Sequence, residues 1–177
     1  GAGTCTIYAN QPGNDYFMPA AQVSQNLLVN KKNLTVTGAT VVTRQYDSTN
    51  GATITGAVLS GIVGSDNVTI TNSTSGLFAT ANAGADITVT TSMSLSGTDA
   101  GSYTLTQPGL KGTISPKQIA VIPSGSQSKT YGEADPVLTY TISPSLYGTD
   151  AISGALGRVA GENAGTYLFT TGSLTAG

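Results

Sequence analysis

The chain has 177 residues, of which 38% are hydrophobic and 9% charged, with a formal net charge of −2. Nucleic acid and anionic membrane are excluded as partners on this balance, because both need clustered Lys and Arg and the only adjacent basic pair is Lys31-Lys32. Wholesale disorder is excluded as well, since this many apolar residues with so little net charge can bury a core.

At this length two small domains fit better than one. His and Trp are absent, while Gly, Thr and Ser separate short Val, Ile and Leu runs. Cys5 is the single cysteine, so no intrachain disulfide forms, and the expected place for such a residue is a packed core. No run of eighteen apolar residues exists and no charged-then-apolar leader opens the chain. These features lead to the expectation of a mature or excised piece without membrane insertion.

Residues 1 to 30 hold two strand-like runs, Thr4 to Ala9 and Gln22 to Val29, joined by the turn-rich Asn10-Gln11-Pro12-Gly13-Asn14-Asp15. An isolated hairpin is marginal in water, so something else is expected to cover them. From Lys32 the alternation becomes regular, with Leu34-Thr35-Val36-Thr37 and then Thr40 to Thr43 reading as half-buried antiparallel strands. Further runs lie at Ala52 to Thr55, Ala57 to Ser60, Val68 to Thr71, Gly76 to Thr80, Ile87 to Leu95, Tyr103 to Thr106 and Leu110 to Ser115. Short strands at close spacing predict a sandwich. Asn50-Gly51 is expected to supply a primed turn and Gly64-Ser65-Asp66-Asn67 an Asx-closed one.

At Lys117 the pattern begins again. Lys117-Gln118-Ile119-Ala120-Val121 echoes Lys32-Asn33-Leu34-Thr35-Val36 at 117 − 32 = 85 residues, Tyr131-Gly132 follows Tyr46-Asp47 at the same interval, and Asp150 follows Asp66 at 150 − 66 = 84. Asn163-Ala164-Gly165 follows Asn82-Ala83-Gly84 at 81 residues. A rival register sets Ala164-Gly165-Thr166-Tyr167 on Ala100-Gly101-Ser102-Tyr103; the first is preferred because it follows four landmarks with small drift. It predicts an all-β chain of tandem immunoglobulin-like antiparallel sandwiches. Residues 1–30 are then closing strands of an incomplete repeat, 31–116 a first sandwich, and 117–177 a second lacking its last strands.

These residues resemble bacterial surface-repeat domains named for YDG and YGX motifs, the latter called MBG domains. Tyr46-Asp47-Ser48-Thr49-Asn50 is similar to the first type. Lys129-Thr130-Tyr131-Gly132-Glu133-Ala134-Asp135-Pro136, followed by Gly157-Arg158 and Gly161-Glu162-Asn163-Ala164-Gly165-Thr166-Tyr167, is similar to the second. The resemblance implies tandem, extracellular domains of large secreted or cell-surface bacterial adhesins and filamentous-haemagglutinin-like proteins, with a structural role and no catalytic residues or cofactors.

The inventory of reactive groups points the same way. General acid–base work near neutral pH usually calls on His or a carboxylate tuned by burial, and His is missing, so an enzyme is not expected. Asp47, Asp66, Asp99 and Asp150 sit beside small or polar residues, where turn capping is favoured over calcium, and no dense D-x-D-x-D loop supplies six oxygens. An isopeptide link from Lys32 would require that lysine to be buried. The structural residues expected are Tyr103 and Tyr167, each following a small-residue turn with the ring inside and the hydroxyl bonded to upstream backbone, together with the motif residues Tyr46, Asp47, Tyr131 and Gly132. Tyr8, Tyr16, Phe17, Tyr140 and Tyr147 are the material for a sugar-binding surface. Expected partners are other copies of the chain or neighbouring repeats, with a host receptor or glycan as the rival reading. A self-assembling filament subunit joined by donated strands is the alternative to a structural repeat.

Overall fold

A computed structural model describes residues 1–176. In chain order the strands are β1 (Gly3–Ala9), β2 (Val23–Val29), β3 (Lys32–Thr37), β4 (Thr40–Val41), β5 (Arg44–Gln45), β6 (Gly51–Thr55), β7 (Val58–Ser60), β8 (Thr69–Thr71), β9 (Ser75–Phe78) and β10 (Gly84–Thr90). They continue with β11 (Ser94–Ser96), β12 (Tyr103–Thr106), β13 (Leu110–Ser115), β14 (Ala120–Pro123), β15 (Tyr140–Ser143), β16 (Ile152–Ser153), β17 (Gly157–Arg158), β18 (Phe169–Thr170) and β19 (Thr175–Ala176). Apart from one 3-10 turn at Ala100–Ser102, strands are the only regular structure among the described residues, so the chain is all-β. Two compact units form: Gly1–Arg44 with Thr49–Ser115, and Gln45–Ser48 with the chain from Pro116 onward.

In the first unit a six-stranded sheet runs β4-β6-β9-β10-β13-β5, a three-stranded sheet runs β12-β3-β7, and β11 pairs with β8. Alternation explains which side chains go inward: Ala52 and Ile54 on β6 and Val89 on β10 are buried while their Thr neighbours face water, and Phe78 on β9 and Ile114 on β13 are buried with them. A second cluster gathers Leu34, Val68 and Tyr103, with Leu59, Ile62, Leu95, Ala100 and Leu105 packed around it. Gly112 belongs to the closeness of this packing, because a Cβ there would meet Val41 Cγ1 at 2.5 Å and Phe78 Cε1 at 2.9 Å.

Several local expectations change. β3 is half-buried as the alternation predicts, but its partner β12 runs parallel to it, Tyr103 opposite Lys32 through Thr106 opposite Thr35. The run Ile87 to Leu95 is two strands in different sheets. The break is held by Gln107, whose Oε1 accepts from Met93 N–H (3.2 Å) and Thr91 Oγ1 (2.7 Å) while its Nε2 donates to Met93 O (2.7 Å). Ser48, at φ +64°, takes the left-handed conformation expected of Asn50-Gly51, and Gly51 simply opens β6. The turn before Asn67 is closed through the backbone, Asp66 N–H donating to Val63 O at 3.1 Å, while the Asp66 carboxylate accepts from Tyr103 through Oδ2. Cys5 is exposed on β1, not packed in a core, and Lys32 is exposed, which removes the burial that an isopeptide link requires.

The repeat is visible as a repeat of strand pairings. β3 faces β7 with Thr35 opposite Ser60, and β14 faces β15 with Ala120 opposite Ser143, at 120 − 35 = 85 and 143 − 60 = 83 residues. β8 with β11 returns as β16 with β19. β9 with β10, where Phe78 is opposite Val89, returns as β17 with β18, where Arg158 is opposite Phe169, both at 80 residues. This selects the preferred register: Tyr167 occupies the position of Ile87, not of Tyr103.

The N-terminal hairpin stands apart in burial. β1 pairs with β2 from Gly3 opposite Val29 to Ala9 opposite Val23, so Cys5, Ile7, Ala9, Val23, Gln25, Leu27 and Val29 share one face, and Thr4, Thr6, Ser24 and Asn26 lie on the other with Tyr8 and Leu28. Every residue of both strands is exposed.

Candidate functional site

Three side-chain clusters use the residues that the motifs single out. The first closes the corner after the 3-10 turn. Tyr103, 5% exposed, donates its hydroxyl proton to Asp66 Oδ2 at 2.5 Å and accepts from the Val63 N–H at 3.1 Å. The bond to Asp66 raises the Tyr103 pKa, because losing the proton would set an anion against a carboxylate. Asp99 binds the other side of the same loop, its Oδ2 accepting from Asn67 N–H at 2.8 Å. A buried phenol with both hydrogen-bonding roles filled fixes where the segment 63–67 lies over the Leu34 core.

The second cluster is built on the YGX stretch. Thr130, Tyr131, Gly132 and Glu133 form a β-turn, with Glu133 N–H donating to Thr130 O and Gly132 at φ +85°, the type II geometry that reserves the third position for glycine. Tyr131 is 74% exposed at the tip. The turn places Lys129 and Asp135 beside Arg158 and Glu162. Lys129 Nζ lies 2.9 Å from Asp135 and 2.7 Å from Glu162, and Arg158 Nη2 lies 2.8 Å from each of the same carboxylates. The guanidinium also binds Asp135 through Nε at 2.8 Å, giving the two-pronged geometry that only Arg offers. Tyr167 lies under Arg158, with the guanidinium 5.0 Å from the ring centroid, and its hydroxyl donates to Asn163 O at 2.8 Å.

The charges titrate accordingly. Arg158, then Lys129, holds Asp135 down to about 2; Lys129, then Arg158, lowers Glu162; and Glu162, then Asp135, raises Lys129. With each carboxylate held by both cations, the cluster clamps the stretch 129–135 to the stretch 158–167.

The third cluster, also in the second unit, surrounds Tyr147. Tyr46 donates to Asp150 Oδ1 at 3.0 Å and meets Tyr147 edge to face at 6.1 Å, and Lys117 Nζ bonds the Tyr147 hydroxyl at 2.6 Å. The hydrogen bond to Asp150 raises the Tyr46 pKa. Asp47 is half-buried beside it. Of the aromatics considered for sugar binding, Tyr8, Tyr16 and Phe17 lie in the first unit and Tyr140 and Tyr147 in the second. Tyr16, Phe17 and Met18 are exposed on a loop closed by Asn14, whose Oδ1 accepts from the Tyr16 and Phe17 N–H groups at 2.9 Å. Among the described residues no three His, Cys, Asp or Glu side chains converge as metal ligands.

Lys129, Asp135, Arg158 and Glu162 carry the largest electrostatic feature, yet sequence reasoning used them only as motif letters. A signal was present, since five of the sixteen charged residues in a sparsely charged chain, these four and Glu133, fall in that motif. Gln107 had no such signal, because a lone Gln after a strand looks like any surface polar residue.

No curated protein and no solved structure matches the chain. A family model described as YDG domain matches residues 30–109, and one described as MBG domain (YGX type) matches residues 119–177. The chain is therefore a tandem of a YDG domain and an MBG domain of the YGX type, domains of a surface or repeat kind.

Proposed function

We propose that the chain is a non-enzymatic structural segment of an extracellular bacterial adhesin or surface filament, in which immunoglobulin-like sandwich modules in series supply reach. The observation that carries this reading is the repetition of three strand pairings in the same antiparallel sense through the two units. What repeats is a framework of paired strands, and the polar groups placed by the motifs hold it closed. Tyr103 fastens a loop over a core and Arg158 clamps two stretches together. Hydroxyl-rich outer faces keep the strands soluble with few charges, as on β10, where Thr88 and Thr90 are exposed beside buried Val89. The test is immunogold labelling of intact cells of the source organism with antibody to the chain. Surface label lost after mild protease shaving is expected; label that appears only after permeabilisation removes the reading.

A further inference from the structure

We infer that Lys117, Tyr147 and Asp150 of the second unit form a recognition surface for the tyrosine of the YDG motif, and that Tyr46 occupies it. The inference concerns which side chains complete the second unit, so it stands or falls separately from the proposed surface role.

The segment that carries the motif is divided from its own domain. The YDG domain spans residues 30–109 and so includes Tyr46, yet Gln45–Ser48 belongs to the compact unit that resumes at Pro116. The residues on either side of this segment are tied to each other: Arg44 Nη1 donates to Thr49 Oγ1 at 3.2 Å and its Nη2 donates to the Thr49 carbonyl oxygen. Ser48 turns the chain between them at φ +64°. A loop pinched at its base presents Tyr46 with little freedom left to lose on contact.

The receiving side is one turn and one lysine. Asp150 N–H donates to Tyr147 O at 2.9 Å across Gly148-Thr149, with Gly148 at φ +51°, a conformation that glycine adopts without strain. This turn sets the Tyr147 ring and the Asp150 carboxylate at its two ends. Lys117 Nζ donates to the Tyr147 hydroxyl at 2.6 Å and lies 4.1 Å from the ring centroid, which holds the ring in place. Tyr46 engages both ends of the turn at once, its ring edge to face on Tyr147 at 6.1 Å and its hydroxyl donating to Asp150 Oδ1 at 3.0 Å. All four residues are half-buried. The pairing selects a tyrosine: phenylalanine brings the ring without a donor for the carboxylate, and serine or threonine brings a hydroxyl without the ring. The partner that this surface fits is therefore a loop carrying a tyrosine, and the YDG motif supplies it.

Hydrogen exchange followed by mass spectrometry on the full 177-residue chain tests this, with peptides from each unit followed separately. Tyr46→Phe is expected to lower protection of peptides from β14, β15 and the 147–150 turn by about threefold to tenfold, and Tyr46→Ala by more, while peptides from β9 and β10 change by less than about twofold. Asp150→Ala is expected to reproduce the Tyr46→Phe loss, and the double variant to lose no more than either alone. Asp150→Asn keeps an acceptor oxygen and is expected to retain most of the protection. Losses confined to the first unit overturn the proposal, because they would mark Tyr46 as serving its own domain alone. Additive losses in the double variant overturn it as well, as does an unchanged second unit in Tyr46→Ala. Tyr46→Phe keeps the ring, so its cycle with Asp150→Ala remains decisive if Tyr46→Ala disturbs the fold.

Discussion

Replacing Leu34 by Ala is the most direct test of how the first unit is held. Leu34 is fully buried, between the buried Val68 and Tyr103. The substitution removes three carbons, about 2.4 kcal/mol of transfer free energy, and adds a cavity term wherever the surroundings do not collapse. Collapse is resisted here, because the segment above the cluster is fastened by the two hydrogen bonds of Tyr103 and β3 is held between β12 and β7. A loss of about 3 kcal/mol follows, inside the range observed for buried Leu→Ala changes. Hydrogen exchange followed by mass spectrometry reads the two units separately, and the loss appears as roughly a 150-fold fall in protection of peptides from β3 and β12. Leu28→Ala on the hairpin, where the side chain is 64% exposed, should stay within about 0.5 kcal/mol. A Leu34→Ala effect below about 1 kcal/mol, or one no larger than that of Leu28→Ala, would refute the placement of the core at the parallel seam.

Tyr103→Phe keeps the ring but leaves the Val63 N–H and the Asp66 carboxylate without their shared hydroxyl, so the first unit should melt several degrees lower in a thermal scan. The raised Tyr103 pKa means that its stabilisation is fully present below about pH 10 and is lost as pH rises through the higher folded value, an alkaline transition that Tyr103→Phe should abolish. Asp135 acts with the opposite sign: its lowered value gives stabilisation that is complete above about pH 4 and disappears as pH falls through about 2, and the lowered Glu162 adds to it in the same direction, so exchange protection in the second unit should drop over that window and Arg158→Gln should make the drop smaller. Gly97, at φ +111°, has the Asn67 carbonyl oxygen where a Cβ would stand, and Gly97→Ala should destabilise the first unit by at least about 1–2 kcal/mol in urea unfolding. Gly109→Ala, with open space around it, should be near neutral.

The elements easiest to read from residues alone were those whose pattern has one physical meaning. Alternation in Leu34-Thr35-Val36-Thr37 places a half-buried strand whatever its partner, and the 85-residue interval between Lys32 and Lys117 survives as paired strands in both units. Alternation carries no information on partner direction, which is why the parallel seam between β3 and β12 is invisible until loop closure sets it. The run Ile87 to Leu95 keeps strand-like composition across a change of sheet, since the change is made by one Gln107 side chain sixteen residues after Thr91 and leaves no local mark. Cys5 misled for a related reason. Its alternation with Ile7 and Ala9 marks an inward-facing strand, and the hairpin does carry an apolar face, but this chain does not cover it.

The two units share pairings and differ in what covers them. Phe78 and Arg158 occupy equivalent positions, opposite Val89 and Phe169, yet Phe78 is a buried apolar ring, 2% exposed, while Arg158 pairs with two carboxylates and lies over an aromatic ring. Apolar burial is indifferent to moderate salt, whereas pairs whose carboxylates are 44% and 64% exposed are screened once the Debye length falls to about 3 Å near 1 M. The units should therefore part company as sodium chloride is raised: protection of β17 and β18 falls relative to that of β9 and β10, and Arg158→Gln flattens the difference. Equal salt slopes in the two units would mean that the clamp at the YGX turn orients the loops without stabilising them, and that the second unit rests on its backbone pairings, Leu156 and the cluster around Tyr147.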